Sequence, residues 1–333
     1  MTGVAAPPHS DNGSMTPQPA ALRAHSFAGL GASGPRLIVL GAVHGNETCG
    51  TRAIERVLAE LDSGALTIER GLLTLVPVTN PLAYAKGERR GERNLNRRLI
   101  PTDAPFEYED HIANQLCPWL AAHDVLLDLH SFASPGRPFV MRGPANNSAT
   151  LEPFAQAAAE GRFAAHLGPT RIVEGWMEAY AQGAARRRER GLMDDADPSY
   201  GIGTTEYMRA RGGYGVTLEC GQHADPVAPG VGYRAIRQAI ALLGLAEIAL
   251  APPPAEFERL RLTEVVDRDH EADRFVRPWR SFDAVCAGEH VGERRDGAPV
   301  IASANGHIVF PDPNALPGHE WFYFAQASER PLW

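Results

Sequence analysis

The 333-residue chain is an acidic protein of ordinary globular composition, with 44% hydrophobic residues and a formal net charge of -8. A chain of this length can bury a large core, as one large domain or two smaller ones. The acidic balance argues against a nucleic-acid partner, because phosphate contacts need a basic surface. No segment approaches the ~18 apolar residues that span a bilayer, and residues 1–25 lack a signal-peptide pattern, so no membrane partner and a cytoplasmic location are expected.

The first 250 residues alternate short apolar runs with helical patterns, after a Pro-, Ser- and Gly-rich segment at 1–20 that we predict to be a flexible tail. This alternation predicts an α/β fold with a mostly parallel sheet flanked by helices. The predicted strands cover residues 37–43, 72–78, 125–130, 139–142 and 215–220. The predicted helices cover residues 50–61, 110–122, 151–166 and 232–245. We assign residues 21–250 to this α/β domain.

Three consecutive prolines at 252–254 interrupt the helical pattern and predict a domain boundary. After them, short β-like runs separated by turn residues favour a small β-rich domain over residues 256–333. Its predicted strands cover residues 263–266, 300–302, 307–310 and 321–325.

A histidine and a glutamate follow the first predicted strand, in the segment His44-Gly-Asn-Glu47. Zinc accepts imidazole nitrogen together with carboxylate oxygen, and a hydrolytic zinc site has three protein ligands and an open position. His44 and Glu47 are therefore candidates for two of the three ligands. The alternative is an ordinary Gly-rich turn between a strand and a helix, with both side chains on the surface.

The third ligand is predicted at His130, which ends the strand at 125–130. Because side chains alternate along a strand, Asp128 lies on the same face and can orient the histidine ring. Another strand ends at Glu219, and a carboxylate there is costly unless it is used or paired. Beside a metal, Glu219 would act as the general base. Ligands gather at the carboxyl ends of the strands in open α/β sheets, where these residues and Asn80 are predicted to lie.

The basic segment from Arg89 to Arg97 joins several guanidinium groups with the amide of Asn96. Arginine binds carboxylates through paired hydrogen bonds, so the substrate is expected to be an acid. Arg89 is the preferred candidate to polarise the scissile carbonyl. For this segment and for the arginine run at 186–190, the alternative is a solvated loop or helix face.

These motifs together resemble the succinylglutamate desuccinylase/aspartoacylase family, which is related to zinc carboxypeptidases. They are His44-Gly-Asn-Glu47, Leu95-Asn-Arg97 with an arginine seven residues before the asparagine, Asp128-Leu-His130 and Leu218-Glu-Cys-Gly221. The resemblance covers roughly residues 30–333. It implies a carboxypeptidase-like fold, one Zn²⁺ per chain, and attack of a zinc-bound water on a small N-acyl amino acid that carries a carboxylate. The acyl group would be succinyl, acetyl or a similar group.

Matched motif by motif, the resemblance makes His44, Glu47 and His130 the zinc ligands, Glu219 the general base and Arg89 the carbonyl-polarising group.

It further implies that Asn96 and Arg97 bind the α-carboxylate of the amino acid. By spacing alone, Arg209 and Tyr323 match positions that contact the other end of the substrate. The C-terminal β-rich domain would cover the active site and limit which substrates enter.

The chain departs from the family pattern at Asn94, where an aspartate is common. Extra arginines lie at Arg90, Arg93 and Arg98, and the residues after Glu219 also differ. The identity of the acyl group and of the amino acid is therefore left open. Two other functions remain as alternatives: a zinc carboxypeptidase acting on small peptides, and a non-catalytic family member. The sequence leaves the oligomeric state open, including a homo-oligomer.

Overall fold

The computed structural model describes residues 21–191 and 197–333, so the predicted tail at 1–20 lies outside the described residues. The described strands are β1 His25–Ala28, β2 Gly31–Leu40, β3 Arg70–Val76, β4 Val125–Phe132, β5 Phe139–Met141, β6 Arg171–Glu174, β7 Tyr214–Gln222, β8 Glu258–Asp267, β9 Arg274–Phe275, β10 Asp283–Val285, β11 His290–Glu293, β12 Pro299–Ile301, β13 Gly306–Val309 and β14 Glu320–Ala327. The described helices are α1 Cys49–Asp62, α2 Pro81–Lys86, α3 Tyr108–Ala121, α4 Ala157–His166, α5 Trp176–Glu189, α6 Thr204–Ala210 and α7 Ala228–Leu242. None of these helices is long and apolar enough to cross a membrane.

The strands form a large sheet in the order β1-β3-β2-β4-β7-β5-β6-β8-β14-β13-β10. Its central strands β3, β2, β4 and β7 run parallel, whereas β5 pairs antiparallel with β7. The C-terminal strands β8, β14, β13 and β10 pair antiparallel with one another, and β12, β11 and β9 form a separate small sheet. The predicted fold class is confirmed.

Strand β2 is buried on both faces, as expected for a central parallel strand. Leu37 and Val39 belong to the core beneath helices α1 and α7. Ile38 and Leu40 point to the opposite face, where they join the core beneath α3 and α6. Helices therefore cover both faces of the sheet and leave the carboxyl ends of the parallel strands as a common edge.

The C-terminal β region continues the main sheet. Strand β8 pairs in parallel with β6, with Arg171 opposite Glu258 and Val173 opposite Leu260. Tyr323 of β14 shares a buried cluster with Phe132 at the end of β4. This pairing brings the C-terminal strands to the edge where the candidate site lies. The domain boundaries at 21–250 and 256–333 remain predictions.

Helix α5 has no counterpart among the predicted helices. The arginine run at 186–190, predicted as a solvated face or loop, forms its last turn and end. Arg187 is 2% exposed and makes two hydrogen bonds to Asp267 of β8, at 3.0 and 2.6 Å. The charge pattern could not reveal this pair because its acidic partner lies 80 residues away. The predicted helix at 151–166 begins only at Ala157.

Candidate active site

The turn between β2 and α1 places the first two predicted ligands. Its backbone is tied to the neighbouring strand connection, since the Thr79 and Asn80 amides donate to the carbonyls of Gly41 and Ala42 at 2.9 and 3.0 Å. Gly45 must be glycine, because a Cβ there would lie 1.9 Å from the carbonyl carbon of Ala83. The close approach to α2 therefore fixes the path of the chain through this turn.

Asn80 caps α2 and lies apart from the cluster of predicted ligands. Its side-chain oxygen accepts from the Ala83 amide at 3.2 Å, and its NH₂ group donates to Glu109 at 2.9 Å. The residue is fully buried. Asn80 thus organises the backbone beside the site.

The structure brings His44, Glu47 and His130 together. One potential ligand atom from each of these buried residues lies within 4.8 Å of the other two. Glu47 is central: its Oε1 lies 2.8 Å from His44 Nδ1 and its Oε2 lies 2.9 Å from His130 Nδ1. This group could hold a metal ion.

The hydrogen bonds of Asn94 define the tautomer of His44. Asn94 Oδ1 accepts from the backbone amide of Asn96 at 2.9 Å, which identifies this atom as the oxygen of the side chain. The same oxygen lies 3.0 Å from His44 Nε2, so Nε2 carries a proton and donates it. Burial, with Arg89 nearby, lowers the pKa of His44 to about 4, so the ring is neutral at pH 7. Nδ1 therefore presents a lone pair towards Glu47.

His130 is held between two carboxylates. Its Nε2 lies 3.0 Å from Asp128 Oδ2, off the N–H axis, so the contact is ionic and poorly aligned as a hydrogen bond. Burial opposes ionisation of His130, but Asp128 and Glu47 outweigh it and raise the pKa well above its ordinary value. Asp128 lies on the face of β4 that the alternation of side chains predicts.

The donor set fits a zinc ion. The lone pair of His44 Nδ1 and Oε1 of Glu47 lie 2.8 Å apart, so both atoms could be donated to one cation. Two imidazole nitrogens and one carboxylate also match the ligand types and number of a catalytic zinc site. Asn94 and Asp128 contact the outer nitrogens of the two rings, as ring-orienting partners do in such sites.

Glu219 lies on β7 directly opposite His130 in the parallel register. It is 7% exposed, and its Oε2 has no hydrogen-bond partner among the described residues. Burial, together with the charge of Glu47, raises the pKa of Glu219 to about 8. Without a metal the carboxyl group therefore keeps its proton at neutral pH. A cation held by the neighbouring ligands would favour the carboxylate, which is the form that can accept a proton.

Glu109 of α3 holds the arginine-rich loop in place. Its carboxylate is fully buried and accepts from the backbone amides of Gly91, Glu92 and Arg93 at 2.9 to 3.3 Å. The side chain of Arg93 extends this anchor by pairing with Asp110 of α3 at 2.8 Å. One of the extra arginines of the sequence is therefore a structural clamp for the loop.

This loop carries three of the predicted site residues to the cavity. The Arg89 side chain is 51% exposed and donates to Glu47 at 2.9 Å. Asn96 uses its side-chain oxygen to accept from the Thr204 amide at 2.9 Å, which leaves its NH₂ group as the donor at the cavity wall. Arg97 lies with its guanidinium carbon 4.7 Å from the ring centre of Trp176.

A cavity of about 370 Å³ opens above the cluster. Its walls include His44, His130, Glu219 and the arginine loop, together with Phe310, Glu320 and Tyr323 from the C-terminal region. Tyr323 is 4% exposed, and its hydroxyl has no hydrogen-bond partner among the described residues. The C-terminal strands thus line the same cavity as the candidate ligands.

Arg209 also lines the cavity, but its donors are directed into the protein. It contacts Glu160 at 2.8 Å, Glu152 at 2.7 Å and Glu206 at 3.2 Å, and donates to the carbonyl of Gly215 at 2.7 Å. The spacing in the sequence suggested that Arg209 contacts the substrate, and this stays a prediction. For such a contact, Arg209 would have to give up some of the hydrogen bonds described above.

Sequence reasoning missed several cavity residues. Ser131 Oγ lies 2.8 Å from His223 Nδ1, and both residues line the cavity beside the candidate ligands. Glu320 Oε1 lies 3.9 Å from a terminal nitrogen of Arg97. His223 could have been found as a histidine just past the strand that carries Glu219, whereas nothing local links Glu320 to Arg97.

Residues 33–166 match the family model described as the succinylglutamate desuccinylase/aspartoacylase catalytic domain. The resemblance to this family is confirmed. The matched segment begins in β2 and ends with α4. It contains all three candidate ligands and the loop that carries Arg89, Asn96 and Arg97.

Solved structures extend the likeness of fold beyond that segment. A succinylglutamate desuccinylase/aspartoacylase from Rhodobacter sphaeroides is 18% identical, with a TM-score of 0.67 over 92% of this chain and 90% of that one. The product-bound ectoine utilization protein EutE (DoeB) from Ruegeria pomeroyi is 20% identical, with a TM-score of 0.65 over 89% and 86%. An aspartoacylase family protein from Mesorhizobium loti is 19% identical, with a TM-score of 0.63 over 93% and 90%. The C-terminal β region therefore belongs to the shared fold.

Proposed function

We propose that the chain is a zinc-dependent amidohydrolase that removes the acyl group from a small N-acyl amino acid. The observation that carries this proposal is the buried His44, Glu47 and His130 group, whose ligand atoms lie within 4.8 Å of one another at the base of a cavity. When bound there, zinc would supply a water of lowered pKa and Lewis-acid stabilisation of a carbonyl oxygen.

Glu219 would accept the proton of the attacking water and return it to the leaving amine. Support comes from its position opposite His130 and from its buried oxygen, which has no partner among the described residues. A base must lie near the proton that it takes, and Glu219 lines the same cavity as His44 and His130.

Arg89 would hold the carbonyl oxygen of the substrate as negative charge develops on it. Its side chain reaches the cluster through Glu47 and is half exposed, so it is accessible from the cavity. The NH₂ group of Asn96 and the guanidinium of Arg97 would bind the α-carboxylate. Asn96 and Arg97 lie on the same anchored loop as Arg89. They would therefore hold the α-carboxylate at a fixed distance from the scissile amide.

The test is turnover of N-acyl amino acids by zinc-loaded protein, compared with Glu219→Gln. The variant is expected to lose at least about 100-fold in turnover, the range typical for a general base, while its zinc content is unchanged. Glu55→Gln, an exposed position on α1, serves as the matched control.

Dipeptides and longer peptides are assayed beside the N-acyl amino acids. Preferred hydrolysis of peptides would support the carboxypeptidase alternative. Failure to bind zinc, or near-normal turnover by Glu219→Gln, would contradict the proposed mechanism.

A further inference from the structure

We propose that the substrate carries a single carboxylate and that the rest of it is apolar or aromatic, so that a second carboxylate is disfavoured. This inference rests on the proposed function and specifies its substrate class. It follows from the aromatic wall of the cavity, where the described side chains offer rings and no uncommitted cation.

The wall is built from aromatic residues of four separate elements. Phe132 ends β4, Phe310 follows β13, Tyr323 lies on β14 and Trp176 begins α5. The ring centres of Phe132 and Phe310 are 6.0 Å apart, those of Phe310 and Tyr323 are 6.3 Å apart, and those of Tyr323 and Trp176 are 5.4 Å apart. These rings form one continuous apolar surface along the cavity, which Met141 extends.

Phe310 is held in a rare backbone conformation that presents its ring. Its φ is +52°, a left-handed value that is unusual for a bulky residue. Ser281 accepts a hydrogen bond from the Phe310 amide at 3.0 Å, and its hydroxyl also lies 2.8 Å from that of Ser134. Such strain persists where the surroundings impose it, often at ligand-binding positions. The surrounding structure therefore holds the Phe310 ring in the aromatic wall.

Two of the four arginines at the cavity have their charge neutralised by buried carboxylates. Arg209 is surrounded by Glu152, Glu160 and Glu206. Arg142 is 3% exposed, contacts Glu174 at 3.0 and 3.1 Å, and donates to the backbone carbonyl of Pro331 at 2.9 Å. Both guanidinium groups already have carboxylate partners, with which a second carboxylate would have to compete.

The remaining two arginines serve the reacting amide and the first carboxylate. Arg89 is bonded to Glu47 beside the cluster, and Arg97 stacks on Trp176. Glu320 lies 3.9 Å from Arg97 and also lines the cavity, so a second anion near this point would meet a like charge. The Tyr323 hydroxyl supplies a neutral donor only. Burying a carboxylate without a cationic partner is costly, which disfavours dicarboxylate substrates.

The experiment compares two matched substrate series with zinc-loaded protein, reading release of free amine. One series keeps the acetyl group and varies the L-amino acid among leucine, methionine and phenylalanine against aspartate and glutamate. The other keeps leucine and compares butyryl with succinyl, which has the same number of carbons and an added carboxylate. We expect kcat/KM to be at least about tenfold higher for the apolar member of each comparison.

A preference for aspartate, glutamate or succinyl substrates, or no preference, would overturn the inference while the proposed hydrolase function stands. Hydrolysis of no N-acyl amino acid would overturn both. The increase in unfolding temperature of the metal-free protein with N-acetyl-leucine or N-acetyl-aspartate ranks the binding of the two compounds without turnover. We expect N-acetyl-leucine to give the larger increase.

A variant tests the role of charge directly. Glu320→Gln removes the anion beside Arg97 and should raise the kcat/KM ratio of succinyl-leucine to butyryl-leucine by about tenfold. Glu271→Gln makes the same charge change at an exposed position and should leave the ratio unchanged. An unchanged ratio in a folded Glu320→Gln protein would contradict the assigned role of this carboxylate.

Discussion

Asn94 accepts a hydrogen bond from Nε2 of His44 at 3.0 Å and thereby presents the other ring nitrogen to Glu47. At this position the sequence departs from the family pattern that it otherwise resembles, and the amide keeps the acceptor that the ring needs. A neutral amide oxygen is a weaker acceptor than a carboxylate. The substitution therefore changes the strength of this support and preserves its geometry.

We predict that Asn94→Ala lowers zinc affinity by about 10- to 100-fold, the range typical for loss of a ring-orienting partner. Asn94→Asp should bind zinc as tightly as the natural protein or more tightly, because a carboxylate makes a charge-assisted hydrogen bond. Competition titration with a chelator measures both affinities. Equal affinities for the alanine variant and the natural protein would show that Asn94 does not orient the ring.

Loss of the buried anchor at Glu109 should destabilise the protein. Glu109→Ala leaves the amides of residues 91–93 and the Asn80 side chain without their acceptor, so we expect a loss of about 3 kcal/mol or more in the free energy of unfolding. Denaturant titration measures the loss. Glu88→Ala, at an exposed position near the same loop, should cost little.

The Arg187–Asp267 pair should stabilise the junction between α5 and β8. Replacing one partner leaves an uncompensated buried charge, so Arg187→Met is expected to cost about 3–5 kcal/mol. The double variant Arg187→Met with Asp267→Leu should cost less than the sum of the two single changes, because no charge of the pair remains. Additive costs in the same denaturant titrations would indicate that the two side chains are not coupled.

The carboxylates around Arg209 predict a pH dependence of stability. Burial raises the pKa of Glu152 to about 8, against the pull of Arg209 and with repulsion from Glu206 and Glu160. The folded protein then retains a proton that the unfolded chain releases near the ordinary glutamate value. This contribution to stability is complete at low pH, and it falls as pH rises from about 4.5 to about 8.

Glu152→Gln removes the titrating group, so its free energy of unfolding should decline less over this interval than that of the natural protein. Thermal unfolding at a series of pH values provides the measurement. Parallel stability curves for the two proteins would show that Glu152 does not hold its proton in the folded state.

The sequence by itself determined the α/β fold class, the approximate places of the central parallel strands and the three candidate ligands. Apolar runs and their spacing define buried strands, and ligand types follow from the identities of residues such as His44 and Glu47. Both depend on local order along the chain, which the sequence contains directly.

Only the tertiary structure decided how the site is supported and what lines it. Glu109 anchors the arginine loop from another helix, Arg209 pairs with Glu152 and Glu160 from distant parts of the chain, and Phe310 and Glu320 reach the cavity from the C-terminal region. These relationships join residues far apart in sequence. Their pairing depends on sheet order and on which buried charge meets which partner, and no local pattern encodes either.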